Sequence, residues 1–396
     1  MDEVLRDFFA AGRAKLVKDT SITLRKECPD YCDRLGSDVL PEACLEPFVH
    51  ACFHQDTPFR LEQFLFGYIP VERRPECLTV RTDERGRTYV PRLGIFDTGR
   101  PEQSLRLFFE PGSNAPLVLA EGASGRVAPA AIPTAGGDGL GIFPHEHPLF
   151  QSIIDRERPD ERTEIARAVA QARPVLEKAL ELMAKVSPAA YGDVLDVSRL
   201  LVLLENESVY SFATEMAPGA LFLSVDREPT ELGLCEDLIH QAAHNTFFCV
   251  LAPVRDCFTI RATTRLSEFT VLDDQRSLCS ALHGLYTLAR IDEFFDDCFE
   301  RASLTSLQRH ELAGRLALTM DRFRRTLEAI GDDRLYTPKG RVILEYLRRC
   351  YERLSRDRAT VLSRADISNQ PYVFSYARFC EANPLVATSE ATAGRA

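Results

Sequence analysis

The chain has 396 residues, of which 45% are hydrophobic and 27% are charged, and its formal net charge is −11. These values indicate a folded globular protein of two domains or one elaborated domain, and the acidic balance argues against a general nucleic-acid binder. No apolar stretch approaches a membrane span, and the charged N-terminus lacks a signal-peptide core. We therefore expect a cytoplasmic protein with neither membrane nor nucleic acid as partner, and the sequence leaves the oligomeric state open.

Residues 1–145 predict a mixed region of helices and strands, which we assign to substrate recognition. The first 55 residues have helix-like apolar spacing. Short apolar runs typical of strands follow, at residues 89–96, 105–109 and 116–120. A Gly/Ala/Pro-rich stretch from 121 to 143 is predicted to be a linker or an active-site loop, and it is the best candidate for a domain boundary.

Residues 146–385 predict a mainly helical domain with a small sheet, and residues 386–396 a flexible tail, so the expected fold class is α+β. The predicted elements of this domain are a helix at 160–185 that is interrupted or kinked near Pro174, strands at 200–204 and 220–224, and helices at 230–250, 277–300, 305–330 and 337–360. An acidic face on the helix at 277–300 is predicted to be solvated. It consists of Asp292, Glu293, Asp296 and Asp297.

Twelve cysteines are spread along the chain, mostly in apolar or helix-like contexts. In a reducing cytosol such residues are small buried hydrophobes. The closest pair, Cys28 and Cys32, lacks the second pair that a zinc knuckle needs, because Cys44 and Cys52 are too far apart to supply it. The cysteines that we expect to be buried thiols are Cys52, Cys235, Cys249, Cys279, Cys298 and Cys350.

His240 and His244 are the informative histidines. On the predicted helix, residues i and i+4 share one face, where two imidazoles can hold one metal ion. A pair with this spacing also occurs in cores, where the rings are simply hydrogen-bonded. His283 on the next helix is a candidate third ligand, and Gly284 would allow that helix a close backbone approach. Such a gluzincin-like helix pair is a known way to build an open metal site.

Gln241 stands where helical zinc proteases carry the glutamate that activates a metal-bound water. A neutral amide cannot accept a proton from water at neutral pH, so hydrolysis by that mechanism is disfavoured. Metal chemistry driven by a cosubstrate tolerates this change, and iron with dioxygen is the obvious case. A zinc peptidase therefore ranks third among the interpretations. His145 and His147, two residues apart, are expected to begin a helix and not to bind metal.

Four segments resemble the HExxH-motif peptide-modification proteins, the iron- and 2-oxoglutarate-dependent HExxH-type peptide β-hydroxylases. Residues 211–224 (SFATEMAPGALFLS) are similar to the segment before the metal helix of that family, and residues 238–244 (LIHQAAH) to the helix itself. Residues 274–277 (DQRS) and 281–286 (ALHGLY) are similar to an Asp-Pro-Arg-Pro-like turn and the helix that follows it. The resemblance covers about residues 195–300.

The resemblance implies an Fe(II)- and 2-oxoglutarate-dependent oxygenase that hydroxylates a peptide or amino-acid side chain in a natural-product pathway. His240, His244 and His283 carry over as the metal ligands, and Gln241 as the residue at the catalytic position. Arg276 carries over as a bidentate partner for a carboxylate of 2-oxoglutarate. The alternative is a non-catalytic relative that binds a precursor peptide or a partner enzyme.

Some roles stay open at this stage. Arg276 could instead pair with Asp273 or Asp274 at the start of its helix. Asp237 and Glu268 could each supply a carboxylate ligand or orient an imidazole, or be solvated or salt-bridged. The strand at 220–224 is expected to line the cleft and to pair with an extended peptide.

Overall fold

A computed structural model describes residues 3–109, 118–120, 126–137, 139–157, 164–205, 210–225, 228–254, 256–270 and 274–385. These residues form two compact units. Unit 1 consists of residues 3–181 and 191–254, and unit 2 of residues 182–190 and 256–385. The predicted boundary after residue 145 falls inside unit 1, and the predicted tail at 386–396 lies outside the described residues. Helices with small sheets give the mixed α+β class that the sequence predicts.

Unit 1 begins with helices and ends with the helix that carries the histidine pair. Its helices are α1 (Glu3–Glu27), α2 (Pro29–Ala43), α3 (Pro47–Phe53), α4 (Leu61–Leu65), α5 (Pro148–Glu157), most of α6 (Ile165–Val186) and of α7 (Pro188–Val197), and α8 (Glu231–Leu251). The helical prediction for the first 55 residues is confirmed, as are those for α6 and α8, and α6 continues through Pro174. Residues 160–163 of the predicted helix lie outside the described residues.

The strands of the described chain all belong to unit 1. They are β1 (Cys77–Arg81), β2 (Arg87–Val90), β3 (Gly94–Asp97), β4 (Ser104–Phe109), β5 (Val118–Ala120), β6 (Arg126–Val127), β7 (Pro129–Ala130), β8 (Thr134–Ala135), β9 (Leu140–Ile142), β10 (Leu200–Leu204) and β11 (Ala220–Ser224). They form three sheets, with strand orders β1-β4-β5-β6, β2-β3-β7 and β11-β10-β9-β8.

The sheet β11-β10-β9-β8 contains the fully buried strand β10. β10 runs parallel to both β9 and β11, and Leu200 stands opposite Ala220. All five residues of β10 are buried, as expected for an apolar run covered on both faces. The linker prediction for residues 121–143 is wrong where the structure describes this stretch. Leu140 and Ile142 are fully buried and hold β9 in the sheet, so the segment joins the core.

The apolar run at residues 89–96 forms two strands, because a turn divides it. Pro91 has no N–H to give to a ladder. Arg92 and Gly94 both have positive φ angles, of 65° and 115°. A Cβ at Gly94 would also lie 2.4 Å from the carbonyl oxygen of Ala130. The chain therefore reverses into the antiparallel pair β2–β3. The strand prediction at 105–109 is confirmed by β4, and residues 116–117 lie outside the described residues.

Helix α1 packs closely against α8. A Cβ built on Gly12 would lie 1.9 Å from the carbonyl oxygen of Cys249, so the two backbones meet where α1 has no side chain. Thr230 begins α8 by accepting a hydrogen bond from the Gly233 N–H at 3.0 Å. The contact between Gly12 and Cys249 places the Cys249 side of α8 against α1.

Unit 2 is helical over its described residues. Its helices, after the end of α6 and the start of α7, are α9 (Leu278–Arg301), α10 (Ser306–Ile330), α11 (Pro338–Asp357), α12 (Ala359–Arg364) and α13 (Tyr376–Ala382). The three helix predictions in this region are confirmed, and the N-caps Ser277, Thr305 and Thr337 explain where each helix begins. No helix among the described residues combines the length and apolarity needed to cross a membrane.

The prediction of a solvated acidic face on α9 is wrong. Asp292 is fully buried and accepts a hydrogen bond from the Thr319 hydroxyl. Asp296 pairs with Arg353 at 2.8 Å and with Arg358 at 2.6 Å. The arginines come from the end of α11, far along the chain, and they neutralise carboxylates that local spacing places on one helix face.

The cysteines are free thiols. Cys235, Cys298 and Cys350 are buried as expected, whereas the expectation is wrong for Cys52, Cys249 and Cys279, which are only half-buried. Cys28, Cys32 and Cys44 are buried too, and burial raises the pKa of Cys28 to about 12.

Candidate histidine site on helix α8

Helix α8 brings His240 and His244 together on one face. The two ring centroids are 4.9 Å apart, with an angle of 24° between the ring planes, so the imidazoles stack one turn apart. Both side chains are half-buried. Leu238 and Ile239 are buried on other sides of the helix and anchor it in the core of unit 1. The predicted pairing of these two histidines is therefore present in the structure.

His244 is a neutral base over the physiological range. Burial, with a smaller contribution from His240, lowers the pKa of His244 to about 3. An imidazole must be neutral to ligate a metal ion, so no proton has to be displaced from this ring at pH 7. His244 thus has the right chemical form to ligate a transition metal.

Gln241 lies beside the pair but on a different part of the helix surface, because each residue advances the helix by about 100°. The side chain is 1% exposed, and its Oε1 is buried without a hydrogen-bond partner. A neutral amide in this position cannot hold a proton taken from water. The residue at the catalytic position therefore argues against a hydrolase with the usual glutamate mechanism.

Helix α8 brings two imidazoles together, those of His240 and His244. Asp237 is half-buried one turn before His240 and lies on the same side of α8. Within the ranges that the structure describes, no group of three or more His, Cys, Asp and Glu side chains is placed to hold a metal ion.

His283 and Arg276 belong to unit 2. His283 is half-buried near the start of α9. A Cβ at Gly284 would meet only the Arg276 guanidinium, at 3.7 Å. The expected close backbone approach at Gly284 stays a prediction. Whether His283 ligates a metal stays a prediction.

Arg276 pairs with Asp274, one of the two aspartates that the sequence offers as its partner. Its Nη2 lies 2.6 Å from an Asp274 carboxylate oxygen and 3.4 Å from the Thr326 hydroxyl. Arg276 also holds the pKa of the Asp274 carboxyl below its ordinary value. Glu268 has a local role, since its carboxylate accepts a hydrogen bond from the Arg265 N–H at 2.9 Å. Asp273 lies outside the described residues.

The prediction that β11 pairs with an extended peptide is wrong for the second half of the strand. Another segment of the chain already pairs with this edge. Phe212 and Phe222 exchange backbone hydrogen bonds of 2.8 and 3.0 Å. The Ser224 N–H donates to the Ser211 hydroxyl at 3.0 Å. The segment 211–212 thus takes the hydrogen-bonding groups that an added strand would need, and sequence alternation could not reveal it.

His147 begins α5, as predicted. The Leu149 N–H donates to its Nδ1 at 3.2 Å, and the ring contacts Phe48 with centroids 4.7 Å apart. Burial lowers the pKa of His147 to about 3. His145 is also buried, and its Nε2 lies 3.7 Å from a carboxylate oxygen of Asp83.

Sequence reasoning missed Asn245, the residue after His244. It is 5% exposed, and both polar atoms of its amide are buried without a hydrogen-bond partner. The available signal was an amide side chain on a helix predicted to be buried. Buried amides are normally satisfied, so this one marks a place where a partner belongs.

Comparison with known proteins adds no relative to this picture: no family model matches the sequence, and no curated protein is detectably similar to it.

Proposed function

We propose that the chain is a metal-dependent oxygenase that uses Fe(II) and 2-oxoglutarate to hydroxylate a side chain of a peptide or amino acid in a natural-product pathway. The observation that carries the proposal is the stacked pair His240–His244, with ring centroids 4.9 Å apart on one face of α8. The resemblance of residues 195–300 to the peptide β-hydroxylases supplies the reaction class.

The histidine pair fits Fe(II) in ligand type. Non-haem iron centres use two or three protein ligands and keep open positions for the cosubstrate. His240 and His244 would each hold the ion through one ring nitrogen. His283 is the proposed third ligand, which would complete the gluzincin-like helix pair. When bound, iron with 2-oxoglutarate and dioxygen supplies the oxidising power for hydroxylation of a C–H bond.

The other candidate residues have supporting roles in this proposal. Gln241 leaves the site without a carboxylate base, which suits an oxygenase better than a hydrolase. Arg276 would bind a carboxylate of 2-oxoglutarate through its guanidinium. To do so it would have to exchange Asp274, its partner at 2.6 Å, for the cosubstrate.

A Co(II) titration of the full chain under anaerobic conditions tests the metal site without requiring turnover. We expect a visible absorption band in the wild type. His240→Ala and His244→Ala should each weaken binding by more than about 100-fold, beyond the loss typical of an outer-shell partner. The matched control is His54→Ala, an exposed histidine elsewhere in unit 1. His283→Ala decides whether the third predicted ligand shares the ion. Equal affinities for the wild type and the His240 and His244 variants would refute the site.

The second candidate is a non-catalytic relative that binds a precursor peptide or a partner enzyme, and Gln241 is the observation that favours it. Under this alternative the histidines are structural. Peptide binding would then survive His240→Ala unchanged, and the wild type would form no succinate from 2-oxoglutarate. If His240→Ala instead lost both peptide binding and metal binding, the result would favour the oxygenase.

A further inference from the structure

Three side chains of unit 2 form a hydrogen-bonded relay that ends on a thiol. The Nδ1 of His310, on α10, lies 3.1 Å from the Tyr376 hydroxyl on α13. The same hydroxyl is hydrogen-bonded to the thiol of Cys380, which follows Tyr376 by four residues and so lies on the same face of α13. None of the three is among the residues of the proposed metal site.

Close packing between α10 and the end of the described chain holds the relay in place. A Cβ built on Gly314, one turn after His310, would lie 2.8 Å from side-chain atoms of both Phe374 and Phe379. These rings therefore rest on α10 where α10 has no side chain. The His310 ring also contacts Phe379, with centroids 4.8 Å apart. The approach of His310 to Tyr376 is thus fixed by a packed contact between helices.

Cys380 is open to a small reagent, since it is a free thiol and only half-buried. The thiolate is the nucleophile of cysteine chemistry, and both its formation and its exposure decide which cysteines react. Other thiols of unit 2 lack these properties. Burial raises the pKa of Cys298 and of Cys350 to about 12, so both keep their protons at physiological pH.

The Tyr376 hydroxyl is a proton donor placed beside the Cys380 sulfur. Burial and the hydrogen bond to Cys380 raise the pKa of Tyr376 above its ordinary value, so the hydroxyl keeps its proton at physiological pH. Hydroxide still takes a proton from tyrosine, because the pKa of water is about 15.7. His310 can return a proton to Tyr376 from Nδ1, in the tautomer or the charged form that carries hydrogen on this nitrogen.

The leaving group decides which reagent gains from this arrangement. Disulfides and alkylating agents expel a thiolate or a halide, which departs without a proton. A hydroperoxide expels hydroxide or an alkoxide, a strong base whose departure is assisted by a nearby acid. Among electrophiles that attack thiols, a hydroperoxide is therefore the class that Tyr376 and His310 suit.

We propose that Cys380 is a site of oxidation by a small hydroperoxide, with Tyr376 as the acid for the leaving oxygen. The thiol first loses its proton to solvent, and the sulfur attacks one peroxide oxygen. The S–O bond forms as the O–O bond breaks, so sulfur loses two electrons and the peroxide gains them. With hydrogen peroxide, the leaving hydroxide takes the Tyr376 proton, and His310 passes a proton from solvent back to Tyr376. The products are a sulfenic acid and water.

Two reactions of the reduced full chain test the proposal. One is oxidation by hydrogen peroxide, with the sulfenic acid trapped by dimedone, and the other is alkylation by iodoacetamide, which expels iodide and needs no acid. Peptide mass spectrometry gives both rates at each cysteine, and their ratio cancels differences in exposure and in thiolate content. Cys77 is the internal control. It is half-buried, and Arg106 donates to its sulfur at 3.3 Å, but a guanidinium does not release a proton.

The ratio of oxidation to alkylation should be more than about tenfold higher at Cys380 than at Cys77, because acid catalysis assists only the first reaction. Tyr376→Phe should lower the ratio at Cys380 by more than about tenfold and leave its alkylation unchanged. His310→Phe keeps a ring against α13 and should also lower the ratio, since Tyr376 then regains its proton without the imidazole. The matched control is Tyr372→Phe, at a tyrosine that is 73% exposed, and it should change neither rate.

Two results would overturn the proposal. Equal ratios at Cys380 and Cys77 in the wild type would show that no acid assists the oxidation of Cys380. Equal changes of oxidation and alkylation in Tyr376→Phe and in His310→Phe would show that these residues only hold α13 in place, because a structural change alters access to the thiol in both reactions.

Discussion

Gly12→Ala should destabilise the protein, although alanine is the better helix former. The added Cβ would lie 1.9, 2.6 and 2.9 Å from three backbone atoms of Cys249, its O, C and Cα. Backbone atoms cannot rotate away, so α1 and α8 have to separate. Overpacking of this kind costs about 3 kcal/mol at the upper end of its usual range. Helix propensity returns about 1 kcal/mol, which leaves a net loss of about 2 kcal/mol.

Gly192→Ala is the matched control. Gly192 lies within helix α7, and a Cβ there would meet nothing within 4 Å. The same substitution should therefore stabilise the protein by about 0.5–1 kcal/mol through helix propensity alone. The expected changes in the free energy of unfolding have opposite signs in the two variants. An error common to both measurements therefore cannot produce the expected pattern.

Urea denaturation followed by far-UV circular dichroism measures both changes, and it suits a chain without tryptophan. The m value should stay constant while the midpoint falls for Gly12→Ala and rises for Gly192→Ala. Equal stabilisation by the two substitutions would refute the close packing of α1 on α8.

Two further predictions concern ion pairs and pH. Asp296→Asn removes the carboxylate that Arg353 and Arg358 share, and these arginines keep only a longer pair with Glu293 and a pair with the exposed Glu300, so the free energy of unfolding should fall by about 2 kcal/mol. Glu345→Gln, at an exposed pair, should change it by less than about 0.5 kcal/mol, and equal losses in urea denaturation would contradict this. The pKa of His147 is about 3 when folded and about 6.5 when unfolded, so the unfolded state binds the extra proton and stability falls as the pH drops below 6.5. His147→Asn keeps an acceptor for the helix start and should reduce the loss of stability between pH 7 and pH 5 by about 2 kcal/mol, and an unchanged pH dependence would contradict the burial of that ring.

Much of the helical framework could be predicted because its signals are local. The apolar period of 230–250 and the caps Thr230 and Ser277 lie within the segments they shape. The same holds for the strand at 200–204, where five consecutive apolar residues indicate a strand buried on both faces. The stacking of His240 and His244 followed from the helix alone.

The errors arose where a distant segment supplies the partner. The sequence predicts a solvated acidic face on α9 because the arginines that pair with it, Arg353 and Arg358, come from the end of α11. It predicts an open edge on β11 because nothing in the strand's own alternation reveals that Phe212 pairs with it. The burial of the Asn245 amide depends on the packing around α8, which the sequence of the helix does not contain.

The most direct test of the proposed oxygenase is conversion of 2-oxoglutarate to succinate by protein loaded anaerobically with Fe(II) and then exposed to dioxygen. The account predicts retention of about one iron per chain and succinate formation by the wild type and by His54→Ala, with both lost in His240→Ala and His244→Ala. A wild type that retains no iron and forms no succinate with any candidate peptide would contradict it.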